Sequence, residues 1–161
     1  QLKNDDIKIF SINLTEVLIH DYLIIKNTGL LEDDKIVVVN KEEDLNLPNK
    51  KLYLIDASNV SFLKDKNINL FANLIGMQEM KSDHLKNYFN IIESNKAHFY
   101  CCNGEKYIMP AGEETNFDNY PWGNCSKILF ENCPWHQIYY ELRFPFIKKY
   151  ETNIKHALVK Y

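Results

Sequence analysis

Residues 98–109 read HFYCCNGEKYIM, and the reading of Asn103-Gly104 decides the fold. An Asn-Gly pair between two strand-like runs is what a two-residue type I′ turn requires, because both central residues take positive φ. On that reading the segment is a hairpin in which Cys102 opposes Glu105, Tyr100 opposes Tyr107 and His98 opposes Met109. Cys101 then opposes Lys106 and Phe99 opposes Ile108 on the other face, and such cross-strand pairs are the unit of sheet stabilisation.

Working outward, residues 98–144 hold all four cysteines, both tryptophans and five of the ten tyrosines. Downstream, residues 127–130 and 136–144 suggest a second hairpin joined at Asn132, Cys133 and Pro134. In its second strand Ile138, Tyr140, Leu142 and Phe144 alternate with Gln137, Tyr139, Glu141 and Arg143, a half-buried pattern. A charged turn over 148–152 and a last strand over 153–161 complete the expected meander.

Upstream, residues 7–12 alternate as a short strand. Residues 13–26 fit either a helix, with Asn13 as cap and Gly29 as stop, or a buried strand; the reading favours the helix. Residues 35–40 (KIVVVN) and 51–55 (KLYLI) read as strands, and 41–50 as a charged loop. Residues 67–80 read as a buried helix weakened by Gly76. Residues 82–94 are the clearest helix, with Ser82 as cap, Asp83 in the first turn and Leu85, Tyr88, Phe89 and Ile92 as one apolar stripe. The expected class is therefore α+β: one domain over residues 1–161, an antiparallel sheet ending in a C-terminal meander, packed against two or three helices.

Composition narrows function mainly by exclusion. Hydrophobic residues make up 45% of 161, enough for a core, and net charge is −3. Arg143 is the one arginine among nineteen basic residues. Arginine is the bidentate reader of phosphates and guanine edges, so no nucleic-acid partner is expected. No apolar run reaches the ~18–20 residues of a membrane span. The numbering opens at Gln1; with four cysteines, this reading favours an exported protein, periplasmic or secreted.

Cys101, Cys102, Cys125 and Cys133 are the disulfide candidates. Neighbours on a strand point to opposite faces, so the first two do not share one site without a bulge. No Cys-x2–4-Cys knuckle occurs, so neither metal nor other cofactor is expected. Glycine-rich phosphate loops and hydrolase signatures are absent, and no catalytic residue is assigned.

Residues 110–124 form a long stretch rich in turn formers that carries Glu113, Glu114, Phe117, Asp118, Tyr120 and Trp122. A segment of this length without periodicity points to a functional loop. Aromatic anchors beside carboxylates suit a contact surface, so the expectation is a non-enzymatic module that binds a protein partner, in concrete form an immunity- or inhibitor-type protein. The alternative is a small enzyme, either thiol-dependent at Cys133/His136 or a hydrolase at Glu113/Asp118.

Overall fold

The computed structural model describes residues 7–110, 112–134 and 137–161. It divides into two compact units, residues 1–63 and 64–161. The class is α+β, with sheets that are parallel in the first unit and mixed in the second.

In the first unit, strand β1 (Ile9–Asn13) leads into helix α1 (Thr15–Thr28), followed by β2 (Ile36–Val39) and β3 (Leu52–Asp56). All pairing is parallel, in the order β1-β3-β2, with Ile9 and Ile36 both opposite Leu52. β3 is central and apolar on both faces, as a strand covered on both sides must be. Leu52 and Leu54 meet Leu18, Tyr22 and Ile25 of α1, while Tyr53 and Ile55 are buried on the opposite face. Gly29 ends the helix at φ 64°, its N–H and that of Leu30 closing on the Lys26 and Ile25 carbonyls. The cap position belongs to Leu14, not Asn13; the Asn13 amide oxygen accepts the Leu14 N–H at 3.0 Å instead.

The helix N-terminus is tied to the sheet by Thr15, whose hydroxyl donates to Asp56 at the end of β3. Asp56 also accepts the Ser58 hydroxyl and N–H. These donors, Ser58 first and then Thr15, hold its carboxyl down at about 2.

In the second unit, β4 (Leu70–Leu74), helix α2 (Ser82–Ser94) and β5 (His98–Gly104) form a parallel β-α-β element. Antiparallel β11 (Ile154–Lys160) lies beside β5, and β8 (Ser126–Asn132) beside β11, which gives the order β4-β5-β11-β8. Two ribbons complete the unit: β6 (Lys106–Ile108) with β7 (Glu114–Asn116), and β9 (Gln137–Arg143) with β10 (Phe146–Thr152). α2 spans the expected residues, although Lys81 rather than Ser82 stands at its cap. Its stripe of Leu85, Phe89 and Ile92 packs on Phe99, Cys101, Ala157 and Val159, which alternate inward from β5 and β11.

Four expectations are corrected here. Residues 67–80 are not a helix: Leu70–Leu74 pairs with β5, and only Met77–Glu79 coils, as a 3-10 turn. Pairing with a neighbouring strand outweighs the weak local preference of an apolar run. Asn103-Gly104 is not a turn either. Both residues continue β5 opposite Lys155 and Ile154, and neither has positive φ. Third, β8 pairs with β11 and β9 with β10, so residues 127–144 are not one hairpin. Fourth, residues 148–152 are strand rather than turn. The antiparallel meander is thus replaced by a mixed sheet.

The reason for the second correction is legible at Asn103, which is fully buried. Its side-chain oxygen accepts the Gln78 N–H at 3.1 Å, and its amide donates to Asn73 Oδ1 at 3.0 Å and Cys101 Sγ at 3.1 Å. Gln78 returns the contact by accepting the Gly104 N–H on Oε1 at 2.7 Å. An amide this well satisfied inside the fold has no reason to sit at a solvated bend.

Candidate functional site

Residues 110–124 do not form an open loop. Asn116 caps the 3-10 turn Phe117–Asn119 by accepting the Asp118 N–H at 2.9 Å, which directs the Phe117 ring inward. Phe117 has no exposed surface, and Tyr120 and Trp122 are buried with it. The Trp122 ring lies 5.2 Å from both Phe117 and Phe89, 5.4 Å from Phe130 and 6.1 Å from Phe99, within the range of favourable aromatic pairing. The Trp122 indole N–H donates to the Phe117 carbonyl at 3.0 Å, so its one polar group is satisfied indoors. Phe117, Tyr120 and Trp122 are therefore core, and the expected surface loses its aromatic half.

Its carboxylates stay outside. Glu113 and Glu114 are exposed, with Glu114 3.9 Å from Lys106. Asp118 lies 2.6 Å from Lys155, which also reaches Glu105 at 3.4 Å. The Asp118 bond, ahead of a counteracting burial penalty, raises the Lys155 pKa. Asp118 thus acts as a strut that fastens the 3-10 turn to β11.

The cysteines are all thiols. Cys101 faces α2 inside the core, where burial drives its pKa far up. Cys102 faces the other side of the sheet, its sulfur 4.0 Å from that of Cys133. Burial, then the neighbouring Cys133, pushes the Cys102 thiol up to about 11. Cys102 pairs with His156 on one side of β11, and the Cys133 N–H bonds Ile154 of β11 from the other. The expected stitching is replaced by free thiols, buried at Cys101, Cys102 and Cys133 and half-buried at Cys125. His136, the proposed partner of Cys133, lies outside the described residues. Among the described residues no three His, Cys, Asp or Glu side chains gather as a metal site.

Beside Cys102, the Tyr100 hydroxyl is 3.3 Å from His156 Nδ1, while Glu131 Oε1 stands 3.5 Å from Nε2. That second contact has ion-pair distance without hydrogen-bond geometry, and Nε2 has no hydrogen-bond partner. The nearby thiol has a raised pKa, the opposite of what an activated nucleophile needs.

The side chains that do face outward in force are on the β9–β10 ribbon. Among the described residues the two strands pair only with each other, and Phe144-Pro145 connects them. Leu142 opposes Ile147 directly, and Phe146 opposes Arg143. Exposure is 80% at Leu142, 97% at Phe144, 74% at Phe146 and 68% at Ile147. Their alternation in sequence predicts a half-buried face for Leu142 and Phe144. Alternation reports which residues share a face, not whether that face meets a core. The available signal was Phe-Pro-Phe itself, a turn residue flanked by aromatics with Arg143, Lys148 and Lys149 close by.

No protein-family model matches this chain, and comparison with curated proteins finds no match. Among the described residues no helix is long and apolar enough to cross a membrane.

Proposed function

We propose that this chain is a protein-binding module that presents the tip of the β9–β10 ribbon to its partner. One observation carries the reading: four large apolar side chains, each more than two-thirds exposed, stand at the end of a two-stranded ribbon, Leu142 and Ile147 on one face, Phe146 on the other and Phe144 in the turn between. Lone exposed apolar residues are ordinary, but several of this size at one ribbon end mark a contact site. Burying each such side chain contributes about 1.5–3 kcal/mol, so the tip supplies an anchor of the kind that dominates interfaces. Arg143, Lys148 and Lys149 make residues 142–149 basic, and the fitting partner offers an apolar cleft with an acidic rim. An immunity- or inhibitor-type protein is the concrete form, with the tip inserted into the cleft of its target.

The test compares the wild type with Phe144→Ser/Phe146→Ser in pull-downs quantified by mass spectrometry. A stoichiometric protein held by the wild type and lost by the variant is the expected result. No such protein, or one retained equally by both, overturns the proposal. Tip-dependent binding to anionic vesicles in place of a protein overturns it as well.

A further inference from the structure

Asn103-Gly104 is the one Asn-Gly pair in the chain, and such a pair carries a chemistry of its own. Glycine has no Cβ to keep its main-chain nitrogen away from the asparagine side chain before it. The Gly104 nitrogen gives up its proton and bonds to Asn103 Cγ. The Cγ–Nδ2 bond then breaks, Nδ2 takes up a proton and leaves as ammonia, and a cyclic imide remains. Water opens that ring at either carbonyl. One product is aspartate. The other is isoaspartate, whose main chain runs through the side-chain carbon with one methylene added. The net change is amide plus water to acid plus ammonia.

Each of these steps is blocked in the fold. The Gly104 N–H is held by Gln78 Oε1 at 2.7 Å. Asn103 and Gly104 lie in extended β5, opposite Lys155 and Ile154, where the nitrogen does not swing over Cγ. The leaving nitrogen is fixed by its bonds to Asn73 Oδ1 and Cys101 Sγ. Asn103 has no exposed surface through which water would reach the ring.

We infer that Asn103-Gly104 is a self-modification site that the fold silences and unfolding switches on, so that a chain left unfolded converts to a form biased against folding again. The same contacts explain why the product does not fit. Two main-chain donors set both amide orientations: the Gln78 N–H on Asn103 Oδ1 and the Met77 N–H on Asn73 Oδ1, at 3.1 and 3.0 Å. Asn103 Nδ2 therefore faces an acceptor. Aspartate places a second acceptor there, together with a buried charge that has no cation beside it. Isoaspartate lengthens the main chain of β5 and shifts Gly104 out of register with Ile154.

The test ages the wild-type chain at mildly alkaline pH, one portion folded and one unfolded in guanidinium. Mass spectrometry follows the acid form of the peptide that contains Asn103. Conversion is expected in the unfolded portion and slower by roughly 1,000-fold or more in the folded one, since only transiently unfolded molecules react. Gly104→Ala is compared in the unfolded state alone, where its folding does not matter, and is expected to convert far more slowly. The aged unfolded portion is then diluted to the midpoint of wild-type unfolding and given a short protease pulse. Converted chains are expected to be depleted among the survivors by roughly tenfold or more. Asn103→Asp made directly needs neither ageing nor refolding, and native digestion of it is expected to run roughly tenfold faster than that of the wild type. Similar conversion rates in the folded and unfolded portions overturn the inference, as does Gly104→Ala converting like the wild type. Converted chains that survive the pulse like unconverted ones, or Asn103→Asp as resistant as the wild type, overturn it too.

Discussion

The buried side chain of Asn103 accepts the main-chain N–H of Gln78 at 3.1 Å, and this bond joins the end of β5 to the 3-10 turn that precedes α2. It is part of a closed set, since Gln78 Oε1 accepts the Gly104 N–H and the Gln78 carbonyl accepts the Thr115 hydroxyl at 2.8 Å. Three stretches distant in sequence thus depend on one amide.

Asn103→Ala leaves the Gln78 N–H and its neighbours buried without partners and is expected to destabilise by about 2–4 kcal/mol. Asn103→Asp is the sharper variant. A type I′ turn accepts Asp-Gly readily, whereas this site would bury a carboxylate. Urea unfolding should show both variants strongly destabilised; near-wild-type stability for Asn103→Asp would restore the turn.

Aromatic residues should divide sharply by location. Trp122→Ala and Phe117→Ala remove core rings and are expected to cost about 3–5 kcal/mol each. Phe144→Ser/Phe146→Ser should stay within about 0.5 kcal/mol per position, as surface changes do. A comparable loss at the ribbon would mean that the tip is packed.

Asp56 carries an acid dependence. Its folded pKa, about 2, lies below the ordinary carboxylate value of 3.8. Its contribution is therefore fully present above the unfolded value and is lost as pH falls through about 2. The stability difference between wild type and Asp56→Asn should hold steady from pH 7 to 5 and shrink between about 4 and 2. A difference unchanged down to pH 2 would mean that the Thr15 and Ser58 bonds do not favour the ionised form.

Thiol chemistry gives another check. Intact mass should be unaffected by reduction, and alkylation in denaturant should add four groups, one for each free cysteine. In the native state Cys102 should alkylate slowly at neutral pH and faster as pH approaches its value of about 11. A mass gain of two hydrogens on reduction would overturn the thiol assignment.

Much of the local structure was legible in residues alone. Helix α2 was marked by an apolar stripe at helical spacing, β2 and β3 by short β-branched and aliphatic runs, and the end of α1 by Gly29. Each is a local preference in a segment whose tertiary partner asks for the same conformation. Residues 67–80 failed because Leu70–Leu74 is read equally well as helix or strand until β5 lies beside it.

The candidate site was less legible. Residues 110–124 stand out by composition, yet burial is set by what covers a side chain. Phe117 and Trp122 look identical in sequence whether they meet solvent or Phe89, Phe99 and Phe130. The exposed tip is illegible for the converse reason, since Leu142 and Phe144 continue an alternation that normally serves a core.

The sequence by itself determined the α+β class, the position of α2 and the strand character of most of the chain, because these follow from periodicity over a few residues. Tertiary structure alone decided that Asn103-Gly104 runs straight through a sheet, and that β8 and β9 take different neighbours. The physical reason is one of reach. Turn propensity is worth a kilocalorie or so and is spent locally, whereas two hydrogen bonds to a buried amide and strand pairing on both sides of β5 come from residues 25 or more positions away.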